Sequence, residues 1–126
     1  MKKFLTLTAI LEGLTGIALI AVPSSIVLFL LGKPTDGPEG KIIAMFAGTA
    51  IVSLAVLCWI LRETPGLQKL VKGMLFYNCV IIALAIYGVF WYGISRPGLW
   101  FIVFSHSALF VWGAATLIVK RYYSNV

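Results

Sequence analysis

The chain has 126 residues, enough for one domain, and 61% of them are hydrophobic, against roughly 45–50% in soluble domains. A soluble core of this size cannot hide that much apolar surface, and with only 11% of residues charged the outer face is predicted to meet lipid. The net charge of +6 does not point to nucleic acid, because the Lys and Arg residues stand in short clusters beside apolar segments and form no continuous basic face.

The first apolar segment, residues 4–22, follows two lysines and has small residues around Ala21, the outline of a signal peptide. Glu12 inside the apolar run argues instead for a retained helix. Next comes "PSSIVLFLLG", residues 23–32, too short to cross about 30 Å of hydrocarbon at about 1.5 Å per residue. A serine N-cap before Ile26 and a stop at Gly32 predict one or two turns of helix, lying flat at the membrane surface or re-entering as a plug. Residues 41–61, 70–94 and 98–119 are each long enough to span. The breaks "GKPTDGPEG", "RETPGLQ" and "SRPG" carry turn residues, and the last two are short enough to make the spans they join antiparallel neighbours. The predicted fold is all-α: a polytopic membrane protein with four antiparallel transmembrane helices and a short interfacial or re-entrant helix between the first two, in one domain over residues 1–126.

Basic residues near the helix ends set the orientation. Lys2, Lys3, Arg62, Lys69, Lys72, Lys120 and Arg121 fall on one side, and Lys33, Lys41 and Arg96 on the other. The richer side is cytoplasmic by the positive-inside rule, which places both termini there in a multi-pass protein of a bacterial inner membrane. "YGVFWYG" and "GLWF" then form an aromatic belt at the far interface, and "RYYS" one at the near interface.

Helical rise places Glu12, Ser53 and Asn78 at one level, roughly 12 Å from the cytoplasmic side, and His106 nearer 20 Å, alongside Thr15 and Thr49. Thr8, Glu12, Thr15 and Gly16 share a stripe on the first span. Asn78 heads a stripe on the third, and His106, Gly113 and Thr116 share one on the fourth. A carboxylate at that depth facing lipid costs about 2.5–3.5 kcal/mol on the insertion scale, so Glu12 is expected to face the bundle interior. Asn78 is its expected partner, directly or through one water, with Ser53 and Thr8 as further donors and His106 reaching it only through water. Glu12, Asn78, His106, Ser53, Thr15 and Thr49 form the candidate ligand- or proton-binding set, beside a purely structural alternative in which polar side chains act as interhelical glue.

With one histidine, neither a bis-histidine haem nor a typical zinc site can be assembled, and no cofactor is expected. Cys58 and Cys79 have no metal or redox spacing and are expected as small buried hydrophobes. GxSxG, HExxH, P-loop and GxGxxG are all missing, and nothing supplies a nucleophile to a Glu/His pair, so the chain is not expected to be an enzyme.

The succession "LEGLTGIALIAVPSSIVLFLLG", "AMFAGTAIVSLAVLCWILRE", "YN" and "SH" resembles the small four-helix bacterial membrane proteins grouped as DoxX-like, over most of the chain. Some of these are similar to accessory subunits of respiratory or oxidoreductase assemblies, so the resemblance implies a helper role. A second likeness is to the small multidrug resistance transporters, with four helices and a membrane glutamate in the first. "AILEGLTG" puts Glu12 in the corresponding place, which implies a shared proton and cation site. The chain departs from that pattern in the long first loop, in lacking a comparable Tyr/Trp motif in the middle of the third span, and in adding Asn78 and His106. The expected function is a non-catalytic accessory subunit or binder of a small hydrophobic ligand, a lipid or quinone, between the helices. The alternative is a proton-coupled exporter of cationic or amphipathic compounds working through Glu12 as a dimer. The expected partners are the bilayer and a membrane protein or second copy.

Overall fold

A computed structural model describes residues 1–123, and within them every regular element is helical. The order is α1 (Lys2–Ala21), α2 (Pro23–Leu31), α3 (Gly37–Leu61), α4 (Leu67–Tyr92) and α5 (Pro97–Tyr123). All but α2 are long and apolar enough to cross a membrane. Large apolar side chains such as Phe46, Phe76, Phe90 and Val111 stay exposed on their outer faces, as lipid-facing residues do. Tyr87, Trp91 and Tyr92 cluster at the end of α4, with the Tyr87 and Trp91 rings stacked 5.8 Å apart. The near-side aromatic group falls on the side chains of Tyr122 and Tyr123 and on Ser124, which lie outside the described residues.

The short helix starts earlier than expected. The chain bends at Val22 (φ −136°, ψ 58°), and α2 begins directly with Pro23 in its first turn, where the missing N–H costs nothing, so no serine caps it. Gly32, at φ 78°, closes α2 in the left-handed conformation that favours glycine, its N–H donating to the Leu28 carbonyl. Far from standing alone, α2 packs on α1, α3 and α5. A methyl at Gly98 would meet the Phe29 carbonyl oxygen at 2.5 Å, so only glycine lets α5 begin against the backbone of α2. The Ser24 and Thr35 hydroxyls, 2.9 Å apart, tie the start of α2 to the segment leading into α3.

The pairing of the long helices corrects one expectation. The short connection between α3 and α4 does not make them packing neighbours: α3 lies along α1, and α4 along α5. Side-chain size explains the choice. The faces that α1 and α3 present to each other carry Ala9, Gly13 and Gly16 on one side and Ala44, Gly48 and Ala55 on the other, so the backbones come close enough for dispersion contact in lipid. α4 and α5 meet through Ala85, Leu99 and Val103 and, at the other end, through Leu75 against Gly113. The two pairs join in a common core of Phe4, Leu5, Ala9, Cys58, Val71, Met74 and Leu109. The Phe4 ring meets Trp112 edge-on at 5.8 Å and fills the space that Gly113 leaves, which seats α1 between α3 and the α4/α5 pair. Cys58 is buried as expected, whereas Cys79 is exposed on the outer face of α4.

At the basic end, Lys2 Nζ pairs with Glu63 Oε1 at 2.7 Å and ties the start of α1 to the end of α3. The hydrogen bond and charge of Lys2 hold the Glu63 carboxyl below the usual carboxylate range, with Arg62 adding a smaller pull. A depressed acid stabilises above its unfolded pKa, so this contribution is present at neutral pH and is lost as pH falls through the lowered value. The pair is open to water, so the tie is a weak one.

Candidate functional site

Glu12 stands three turns into α1, and among the described residues it is the one acid enclosed by the bundle, 5% exposed. α1 turns it inward because Phe4, Leu5, Thr8, Ala9, Gly16 and Leu19 are its buried positions, and Glu12 lies near the middle of that arc. Its hydrogen-bond partner is a phenol: Tyr77 on α4 donates its O–H to Glu12 Oε2 at 3.1 Å. The expected partner, the adjacent Asn78, is turned about 100° further round α4 and does something else. It is fully buried, donates from Nδ2 to the Met74 carbonyl at 2.6 Å, and presents Oδ1 to His106 Nδ1 of α5 at 2.7 Å.

That arrangement settles the histidine tautomer. The amide nitrogen is committed to Met74, an amide oxygen only accepts, and so Nδ1 carries the proton and donates to Asn78. Nε2 is left as the basic nitrogen of the ring. The Tyr77 and His106 rings meet edge to face with centroids 5.7 Å apart. Two hydrogen-bonded pairs, Glu12–Tyr77 between α1 and α4 and Asn78–His106 between α4 and α5, therefore form an array joined by the Tyr77–His106 ring contact, with Glu12 and Asn78 buried and Tyr77 and His106 half-buried.

The expected depth of His106 is corrected by the observed register. Gly88 faces Leu99 and Leu75 faces Gly113, so Asn78 stands opposite a point about three residues beyond His106, an offset of about 4.5 Å that the two side chains bridge. His106 contacts Asn78 directly, a pairing the expected depths did not include.

Three of the six candidates lie outside the array. Thr15, Thr49 and Ser53 are exposed, and each hydroxyl donates to the carbonyl four residues back, Leu11, Met45 and Thr49 respectively. Gly16 and Gly48 set this outcome. Because those two glycines face the α1/α3 contact, Thr15 and Thr49, one residue earlier and one later, are rotated by about 100°, and Ser53 by about 140°. Thr8 behaves differently. It is fully buried, one turn from Glu12 on the same face, and its hydroxyl has no hydrogen-bond partner among the described residues. Tyr77 is the member of the array that the helical stripes missed. Its neighbour Asn78 marked the buried face, and a long phenol 100° away reaches an acid that the shorter amide does not.

The array can exchange protons and hydrogen-bond a polar group. Glu12 accepts, His106 Nε2 accepts, and Thr8 both donates and accepts. No group of three His, Cys, Asp or Glu side chains able to hold a metal ion is present among the described residues. No family model, curated protein or solved structure matches the chain.

Proposed function

We propose that the protein is a non-catalytic integral membrane protein that holds the polar end of a small hydrophobic ligand, a lipid or quinone, against the Glu12–Tyr77–His106–Asn78 array, or serves a membrane complex as a subunit built around it. The carrying observation is the array itself: an acid acceptor on α1 and an imidazole acceptor on α5, positioned by Tyr77 and Asn78 of α4, inside an otherwise apolar bundle. Two acceptors, one on α1 and one on α5, suit a ligand that brings hydroxyl donors, as a quinol or a lipid headgroup does. The DoxX-like resemblance of the sequence supports the same helper role. Native mass spectrometry of protein released in gentle detergent is expected to show a bound lipid, quinone or partner that Glu12→Gln weakens. A clean species without ligand or partner overturns the reading.

A second reading rests on Glu12 alone. Its place in the first span, as the one enclosed acid among the described residues, favours a proton-coupled exporter in which proton and cationic substrate compete for the carboxylate. That role requires substrate-driven proton release in detergent, abolished in Glu12→Gln. An unchanged proton signal in the variant removes it.

The positive-inside bias supports a bacterial inner-membrane location with both termini cytoplasmic. With Cys58 and Cys79 replaced by Ala, single cysteines at the exposed positions Asp36 and Gln68 are expected to label from opposite sides of intact cells. Labelling of both from one side refutes the topology.

A further inference from the structure

Among the described residues the two helix pairs share a core at the basic end alone. There Phe4, Leu5 and Ala9 of α1 and Cys58 of α3 pack with Val71, Met74 and Leu109, whereas the far cluster of Ala85, Leu99 and Val103 belongs to α4 and α5. Burial along α1 follows this division. At about 100° per residue Thr15 falls within about 20° of both Phe4 and Thr8 on the helix wheel, yet those two are fully buried and Thr15 is exposed. The facing stripe of α5 agrees. Gly113, Leu109, His106, Ile102 and Gly98 succeed one another at helical spacing. Gly113 and Leu109 are buried beside Phe4, Gly98 is buried against Phe29 of α2, and His106 and Ile102 between them are half-buried. The two closed ends, Leu109 and Gly98, stand about 16 Å apart by helical rise.

We propose that this stretch between α1 and α5 is a side window through which the ligand of the array enters from the hydrocarbon core, so that the ligand is a bilayer-dissolved amphiphile with a hydroxyl-bearing end and not a water-soluble solute. The inference deepens the ligand-binding function proposed above and rests on it. The position of the window carries the argument. Thr15 and Ile102 lie inside helices long and apolar enough to cross a membrane, so the opening faces lipid tails. Its rim is apolar in effect, because the hydroxyls there are engaged by their own helices: Thr15 donates to the Leu11 carbonyl at 2.9 Å and Ser105 to the Ile102 carbonyl at 3.1 Å. Behind the rim stand groups with capacity to spare, namely the His106 Nε2 acceptor, the Glu12 carboxyl, and Thr8, whose fully buried hydroxyl has no partner among the described residues. An apolar passage that ends on buried polar groups suits a molecule with an apolar body and a donor at one end. The routes from water are blocked. Phe4, Leu5, Val71 and Met74 close the basic end, each 0–1% exposed, and α2 lies across the far one.

The test is carbodiimide labelling of the full chain in phosphatidylcholine liposomes, read by mass spectrometry of the Glu12 peptide, with membrane-dissolved dicyclohexylcarbodiimide and a water-soluble carbodiimide as probes. The carboxyl O–H adds across a C=N bond of the reagent, its oxygen bonding to carbon and its proton passing to nitrogen, so the adduct reports arrival at Glu12 whatever the natural ligand is. The membrane-dissolved reagent is expected to modify Glu12. The water-soluble one is expected to spare it while modifying Asp36, Glu39 and Glu63, which are exposed. Thr15→Trp, which fills the window, is expected to slow Glu12 labelling several-fold. Ile43→Trp, on the outer face of α3 where Ile43 is 68% exposed, is expected to leave the rate unchanged. Thr15 is exposed, so its replacement leaves the core intact, and an unchanged unfolding temperature confirms it. An unaltered rate in Thr15→Trp, labelling of Glu12 by the water-soluble reagent, or no labelling by either overturns the proposal. Because the reagents need no natural ligand, a closed window and a protein without a ligand give different results: the first shows in the labelling rates, the second in native mass spectrometry.

Discussion

Gly16→Ala is expected to destabilise the protein by about 1–3 kcal/mol, and Gly16→Val by more, although each change only adds apolar atoms to an apolar protein. A Cβ at Gly16 would lie 2.7 Å from the Gly48 carbonyl oxygen and 2.9 Å from the Val52 amide nitrogen, and one at Gly48 would lie 2.7 Å from the Gly16 carbonyl oxygen. These neighbours are backbone atoms and cannot swing aside, so the helices themselves have to part. Parting them removes the dispersion contacts along the α1/α3 seam, and in lipid no hydrophobic effect compensates for lost packing between helices. Gly13 and Gly73 are the internal controls. A methyl at Gly13 meets Ala55 Cβ at an ordinary 3.7 Å, and one at Gly73 meets nothing within 4 Å. Thermal unfolding in detergent should rank Gly16→Ala and Gly48→Ala well below the wild type, with Gly13→Ala and Gly73→Ala close to it. Equal behaviour of all four would mean that the seam is not closed at Gly16 and Gly48.

The second large effect is expected from Asn78→Leu, which is close in size to the native side chain and loses only its polarity. The His106 Nδ1–H then faces leucine in a buried setting, with a cost of about 1–3 kcal/mol for an unsatisfied polar group. An average interhelical hydrogen bond in a membrane is worth about 0.6 kcal/mol, so the larger figure reports the stranded donor rather than the lost bond. Replacing both partners tests this distinction. The Asn78→Leu/His106→Phe double variant is expected to be less destabilised than the sum of the two single variants, because no donor is left unpaired. Additive losses would show that the two side chains are not coupled. The same experiment separates the observed geometry from the sequence-based expectation that Asn78 serves Glu12. With Tyr77 as the partner of the acid, the infrared carbonyl band of Glu12 should shift in Tyr77→Phe and stay in place in Asn78→Leu.

Some features of this chain are local and therefore readable from residue order. Each spanning helix is a run of apolar residues long enough to cross a bilayer, bounded by proline, glycine and charge, and the structure places all four within a few residues of the expected limits. Burial of Glu12 was legible for a similar reason, since an acid in the middle of an apolar run has one inexpensive direction to face. Which helix supplies its partner was not legible. Partner choice depends on the rotation and register of α1, α3, α4 and α5 about one another. Those are fixed by contacts between distant residues, such as Gly16 with Gly48 and Leu75 with Gly113, and are not written in any single helix. The short α3–α4 connection suggested neighbours, yet close glycine and alanine packing drew α3 onto α1. Once the glycines claimed that seam, Thr15, Thr49 and Ser53 turned outward and bonded to their own backbones. The same register left His106 near enough for Asn78 to take, and gave Glu12 to Tyr77. Sequence determined that this is a four-span membrane protein with an enclosed acid; tertiary packing decided what the acid touches, because helix rotation is a collective property of side chains that meet only in the folded bundle.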